Sequence, residues 1–251
     1  MQTAVVPVHF ELLPTACGHV IAVATLDAER SLNALTLAMV DALLPQLESW
    51  AKDDRVVAVL LRGRGDRAFC AGGDVRALTQ HARTGEGDAG YPAHFFAREY
   101  RLDYAIREFP KPLLVWATGV VMGGGMGLLL GASFRVVTET TRMAMPEITI
   151  GLYPDVGGSY FLSRLPGRVG LFVGLTACNF GASDALALGL ASHGAASTSW
   201  PDLLAQLQAQ HWPEVPAAQT EVMARALQQL PQSERVTGPL QQHADEIAEL
   251  V

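Results

Sequence analysis

Two carboxylates eight residues apart, Glu147 and Asp155, lie in the segment AMPEITIGLYPDVGGS, residues 144–159, with no cation between them. A carboxylate set among apolar and glycine residues is poorly solvated, and its pKa rises toward the range useful for acid–base work. Upstream lie two glycine-rich turns, Cys70-Ala71-Gly72-Gly73-Asp74 and Met122-Gly123-Gly124-Gly125-Met126-Gly127. Backbone N–H groups exposed in such turns can stabilise an oxyanion. Carboxylates plus two amide-presenting turns point to chemistry at a carbonyl.

Taken singly, each feature also has a plain structural reading. A GGGxG turn packs a helix closely on a sheet, and its spacing is not the GxGxxG of a dinucleotide site. No GxSxG elbow is present, so a lipase-type nucleophile is not indicated. Asp74 reads as a helix cap, Glu147 as a first-turn carboxylate and Asp155, after Pro154, as a turn opener. Their co-occurrence carries the reading.

The surrounding elements must position these groups. Residues 19–26 (HVIAVATL) are a β-branched run and read as a strand. Residues 35–50 place Val40, Leu43, Leu44, Leu47 and Trp50 at helical spacing, with Pro45 expected to kink that helix or mark its first turn. Residues 56–61 (VVAVLL) are apolar throughout, as in a sheet buried on both faces. A helix begins near Asp74, a mobile polar loop is expected over 83–90, and helix resumes over 93–107. Residues 113–117 and 134–138 read as strands, and 126–132, 167–176 and 183–189 as helices. From Pro201 onward the pattern is amphipathic helix, broken at Pro213, Pro216 and Pro231. This is an α/β chain, with a core domain over 1–198 and a helical C-terminal region over 199–251. The final ADEIAELV starts a helix without a stop signal, so the natural chain is expected to run on past Val251 or to have been cut there.

Composition narrows the classes. A chain of 251 residues, 49% hydrophobic, builds one sizeable domain with a full core. Charged residues are only 17%, so much apolar surface must be hidden in the core or against other subunits, and a homo-oligomer is expected. A net charge of −7 without a Lys/Arg run argues against nucleic-acid binding, yet leaves room for an anionic ligand held by a few arginines. Cys17, Cys70 and Cys178 form no paired framework and no zinc spacing, which suits a reducing compartment, and the chain is expected to be cytoplasmic. The seven histidines are scattered, so no metal is expected. Residues 1–11 lack the pattern of a signal peptide. Residues 112–134 carry no charge and are long enough to span a bilayer, but Gly119, Gly123, Gly124, Gly125, Gly127 and Gly131 break them into a buried strand, turn and helix.

With these residues in view, the chain resembles the crotonase (enoyl-CoA hydratase/isomerase) superfamily over roughly residues 20–195. The resemblance is carried by Ser31-Leu32-Asn33-Ala34-Leu35, by Ala68-Phe69-Cys70-Ala71-Gly72-Gly73-Asp74, by the triple-glycine turn, and by Pro146-Glu147 with its following IGL. Its FCAGGDVR, HFFAREY (94–100), MGGGMGL and AMPEITIGLYPDVGGSYFLSRLPG are most similar to the 3-hydroxyisobutyryl-CoA hydrolase branch.

The resemblance implies a spiral of ββα units followed by helices. It implies oxyanion-hole amides at Gly73 and Gly124, catalytic carboxylates at Glu147 and Asp155, and a substrate-binding set of Glu99, Gly124, Glu147 and Asp155. It implies neither metal nor separate cofactor, since coenzyme A is part of the substrate. Arg30, Arg62 and Arg76 are candidate partners for its phosphates. Hydratases of the superfamily carry another glutamate three residues after the middle glycine of the turn, where this chain has Gly127. The hydrolase branch also carries a longer helical C-terminal region that helps cover the site. The expected activity is thioester hydrolysis of an acyl-CoA, 3-hydroxyisobutyryl-CoA first, as in valine catabolism. Enoyl-CoA isomerisation or hydration is the alternative, and a non-catalytic acyl-CoA-binding protein the second.

Overall fold

Strands β1 (Val8–Pro14) and β2 (Val20–Leu26) form an antiparallel hairpin, and helix α1 (Leu37–Lys52) returns the chain to β3 (Val56–Gly63), parallel to β2. The chain then winds in turns of two strands and helix. β3 leads to the short β4 (Ala68–Cys70), then to α2 (Val75–Thr84) and α3 (Tyr91–Arg107). β5 (Leu113–Ala117) leads to β6 (Val120–Met122) and α4 (Gly124–Gly131). β7 (Phe134–Thr138) leads to β8 (Arg142–Ala144), a 3-10 turn over Glu147–Ile150, α5 (Gly158–Leu162) and α6 (Val169–Thr176). β9 (Phe180–Gly181), α7 (Ala182–Ala187) and β10 (His193–Ala195) precede four helices: α8 (Trp200–Ala209), α9 (Pro216–Gln228), α10 (Pro239–Gln242) and α11 (Ala244–Leu250). This computed structural model describes residues 7–84, 90–232 and 237–251.

The first strand of each turn enters a six-stranded sheet, ordered β1-β2-β3-β5-β7-β10 and parallel from β2 onward. The second enters a four-stranded sheet, ordered β4-β6-β8-β9. Strands that alternate between two sheets, with helices at each turn, make the spiral of ββα units that the resemblance implied.

Side-chain alternation explains why the large sheet is buried on both faces. Ala22, Ala24 and Leu26 of β2, Val59 and Leu61 of β3, and Leu113 and Val115 of β5 face a core shared with α1, α3 and α4. Ile21, Val23, Leu60, Leu114 and Trp116 face a second core, closed by Leu203 and Leu207 of α8 and Val222 and Met223 of α9. The Thr36 hydroxyl caps α1 by accepting from the Met39 N–H at 3.2 Å. Pro45 lies inside that helix, beyond its first turn, on the exposed face.

Other differences are local. The helix expected at 93–107 begins at Tyr91, and that expected at 183–189 is Ala182–Ala187. Of the loop expected at 83–90, residues 85–89 lie outside the described residues, and 83 and 84 belong to α2. Residues 112–134 form β5, β6 and α4, and among the described residues no helix is long and apolar enough to cross a membrane. Residues 112–134 thread the core. Exposed apolar side chains lie at Ile148, Ile150, Leu152, Tyr153, Tyr160, Leu171 and Leu175.

Candidate active site

The Gly72–Gly73 turn is held from outside by the segment SLNAL. Leu32 and Asn33 both adopt left-handed backbone, φ 55° and 54°. Asn33 is fully buried; its Oδ1 accepts from the Ala28 N–H at 3.0 Å, and its Nδ2 donates to the carbonyls of Arg64 (3.1 Å) and Ala68 (2.8 Å). Leu35 then forms a parallel bridge with Gly73. The Leu35 N–H donates to the Gly72 carbonyl at 2.7 Å, and the Asp74 N–H donates to the Leu35 carbonyl at 2.9 Å. A parallel bridge of this kind uses the groups on either side of Gly73 and leaves the Gly73 N–H pointing away.

The second amide is free for a different reason. Gly124 is the first residue of α4, so its N–H has no acceptor within the helix and sits at the positive end of the helix dipole. The two amides are neighbours. A Cβ built on Gly124 would stand 3.4 Å from the Gly73 nitrogen, and one built on Gly72 3.7 Å from the Gly124 nitrogen. Among the described residues neither N–H has an acceptor. The glycine run is required by crowding: a Cβ on Gly124 would overlap Glu99 Oε1, one on Gly125 the Cys70 carbonyl, and one on Gly123 would lie 2.9 Å from Glu147 Oε1.

Both turns open into a pocket of about 150 Å³ that also takes in Phe95, Glu99, Glu147, Leu152 and Asp155. All five predicted site residues therefore meet in one place. Glu147 follows β8 and Pro146, is 6% exposed, and its Oε2 has no hydrogen-bond partner among the described residues. Burial, and then the like charge of Asp155, push its pKa up to about 7. Burial raises Asp155 as well. Glu99, on the inner face of α3, is pushed up to about 8 by burial and by Asp155 and Glu147. The structure thus places three carboxyl groups against two unpaired N–H donors, with no arginine or lysine in the pocket lining.

Asp103 is a fourth carboxyl that the sequence reading missed. It lies one helical turn beyond Glu99 on α3, and both its oxygens are sealed from solvent without a partner among the described residues. Burial, then Glu99 and Asp155, raise its pKa well above the usual carboxylate range. Its oxygens stand against Gly127, where a built Cβ would meet them at 3.0 and 3.1 Å and the Val156 Cβ at 2.7 Å. A larger groove of about 710 Å³ lies beyond Gly127 and Val156, but it includes neither Glu147 nor the two amides.

Asp74 caps α2, its Oδ1 accepting from the Ala77 N–H at 3.2 Å, as expected. The candidate cations divide. Arg30 and Arg76 are exposed, Arg76 on the same helix as the pocket residues Val75 and Leu78. Arg62 is not at this pocket: its guanidinium stacks on Trp200 in a separate cavity, because β3 directs it to the face covered by α8. Among the described residues no three His, Cys, Asp or Glu side chains converge as a metal ion requires. No described residue beyond Asp155 lines the pocket, so the helices after 199 do not close it.

The enoyl-CoA hydratase/isomerase family profile matches residues 21–251. The chain is 43% identical over 202 residues to 3-hydroxyisobutyryl-CoA hydrolase, mitochondrial, of Xenopus tropicalis, covering 80% of this chain and 51% of that protein. It is 44% identical over 183 residues to 3-hydroxyisobutyryl-CoA hydrolase 1 of Arabidopsis thaliana, covering 73% of this chain and 48% of the relative. The chain thus spans about half the length of the curated relatives it matches. A crystal structure of an enoyl-CoA hydratase from Rhodobacter sphaeroides superposes with a TM-score of 0.79 at 37% identity, covering 96% of this chain and 65% of that one.

Proposed function

The chain belongs to the enoyl-CoA hydratase/isomerase family, and from that premise we propose that its pocket hydrolyses a short 3-hydroxyacyl-CoA thioester, 3-hydroxyisobutyryl-CoA first. One observation carries the proposal: Glu147 and Asp155 share a small pocket with the two free amides of Gly73 and Gly124. The names borne by the Xenopus and Arabidopsis relatives support the choice of substrate.

Attack on the thioester carbonyl places negative charge on its oxygen. The Gly73 and Gly124 N–H groups receive that charge, each worth about 3–4 kcal/mol at the transition state. Glu147 takes a proton from the attacking water, or attacks the carbonyl itself to give a mixed anhydride that water then opens. In either route the C–S bond breaks and the leaving sulfur takes a proton, from Glu147 in the first route and from water in the second, so that coenzyme A and the acid are released. Asp155 orients the water or the substrate hydroxyl and raises Glu147 by like charge. Glu99, which burial and the two neighbouring carboxylates push toward its neutral form, donates a hydrogen bond to the acyl group. The second glutamate that the hydratases of the superfamily carry after the triple-glycine turn has no counterpart here, since Gly127 leaves no room for one.

Purified chain given 3-hydroxyisobutyryl-CoA and a 3-enoyl-CoA separates the readings. Free thiol from the first supports hydrolysis, a shifted double bond in the second supports isomerisation, and saturable binding without turnover supports a carrier. Its three free cysteines fit a reducing compartment, of which we propose the cytoplasm, and cell fractionation that finds it within mitochondria would overturn this. We propose self-association through the exposed Tyr160, Leu171 and Leu175 of α5 and α6, which pack together. A monomer mass by light scattering at micromolar concentration would remove that proposal.

A further inference from the structure

A cavity of about 360 Å³ opens where β3 and β5 end, on the face of the large sheet covered by α8, and shares no lining residue with the glycine-turn pocket. Arg62 enters it half-buried. Its Nε donates to the Gly63 carbonyl at 3.2 Å, its guanidinium carbon lies 4.7 Å from the centre of the Trp200 ring, and among the described residues it forms no ion pair. Asp66 and Glu11 act on it only from beyond ion-pair distance, and other nearby charges are engaged elsewhere. Arg64 is closed by Asp27 at 2.9 Å, and Glu139 is taken by the Ser197 N–H and hydroxyl. Asp66 is the single acid in the lining. Burial, and then the like charge of Arg64, lower the Arg62 pKa, against the opposing pull of Asp66 and Glu11, which marks a cation held partly out of water.

A second polar group in the same lining is also unmet. Thr118 is 7% exposed, and its hydroxyl oxygen is sealed from solvent with no partner among the described residues. A hydroxyl in that state is rare unless a ligand or water completes it. The first turn of α8, Trp200 and Pro201, borders the cavity, so the positive end of that helix dipole faces it too. Trp116 and Trp200, ring centres 5.5 Å apart and tilted by 63°, supply a rigid apolar wall.

We propose that this cavity is an oxyanion-binding site, in which the Arg62 guanidinium and the Thr118 hydroxyl hold a compact phosphate or carboxylate at the first turn of α8. The guanidinium fork suits a planar or tetrahedral oxyanion and is pre-set by its stack on Trp200. The site is independent of thioester hydrolysis, and its ligand need not be a coenzyme A ester.

Trp116 and Trp200 make binding visible. The full chain is titrated with sodium phosphate, sodium acetate and, at matched ionic strength, sodium chloride, while tryptophan emission is followed. The expected result is a saturable change with phosphate or acetate and none with chloride; whichever oxyanion saturates first identifies the ligand class. Arg62→Gln weakens the response about tenfold or more, and Thr118→Val weakens it several-fold. In wild-type protein, the oxyanion that saturates also slows modification of Arg62 by phenylglyoxal, read by mass spectrometry of its peptide, so the answer does not depend on a variant that folds poorly. A chloride-like response to both oxyanions, or unslowed modification of Arg62, overturns the proposal.

Discussion

Val156 occupies the space a side chain at Gly127 would need: a Cβ built on Gly127 would lie 2.7 Å from the Val156 Cβ, with the Asp103 oxygens 3.0 and 3.1 Å away on the other side. Val156 is held there by left-handed backbone, φ 43°, next to Gly157 at φ 84°. Gly127→Glu therefore overpacks this point. It is expected to lower stability by about 1–3 kcal/mol without conferring hydration of crotonyl-CoA. Thermal melts and loss of the enoyl absorbance check the two halves; a stable, hydrating variant would show that the space is open.

The buried acids make stability fall as pH rises. Each of Glu99, Asp103 and Glu147 has a folded pKa above its unfolded value, so between about pH 4 and pH 8 the folded chain binds more protons than the unfolded chain. Stability is fully present below the unfolded pKa and drains away as pH climbs through the raised values. Asp103→Asn, which keeps shape and removes the charge, is expected to raise the melting temperature at pH 8 and to leave it nearly unchanged at pH 4. Equal shifts at both pH values would contradict this.

The same acids set the activity profile. A base at Glu147 must lose its proton, so kcat/KM is expected to rise with pH through about 7. Asp155→Asn removes the like charge that raises Glu147, and the midpoint is expected to move to lower pH while the plateau falls. A pH–rate curve displaced upward in that variant would reverse the assigned roles.

Asn33 fixes the turn from which the Gly73 amide projects, through three hydrogen bonds. Asn33→Ala leaves the Ala28 N–H without this acceptor and loses the residue best suited to φ 54°. The expected loss is about 2–3 kcal/mol of stability together with a fall in kcat larger than the change in KM, since the amide acts on the developing oxyanion. Unchanged kcat in a folded Asn33→Ala protein would separate this residue from the oxyanion hole.

The long apolar runs were legible in the sequence because burial on both faces leaves no polar residue to interrupt them: 56–61 and 113–117 read at once as strands. β4, β6 and β8 were not legible, because three residues such as Ala68–Cys70 show no period. β1 is half exposed, and VHFELLP has no clean alternation. At the site, Glu147, Asp155, Glu99, Gly73 and Gly124 came from turn chemistry and family resemblance, and the structure brings them together. Asp103 left no trace in the sequence, since an acid on a helix reads as solvated. Only its spacing of four from Glu99 could have flagged it. The separation of Arg62 from the pocket is not legible either, because neither its strand face nor its stack on Trp200 can be read from neighbours in sequence.

Glu147→Gln tests the central claim most directly, because it keeps the shape of the pocket and removes the base or nucleophile. With 3-hydroxyisobutyryl-CoA and a thiol reagent, release of coenzyme A is expected to fall at least about a hundredfold while the ester still binds with near wild-type affinity by calorimetry. A variant that keeps more than about a tenth of the wild-type kcat would take Glu147 out of the mechanism and the hydrolase proposal with it.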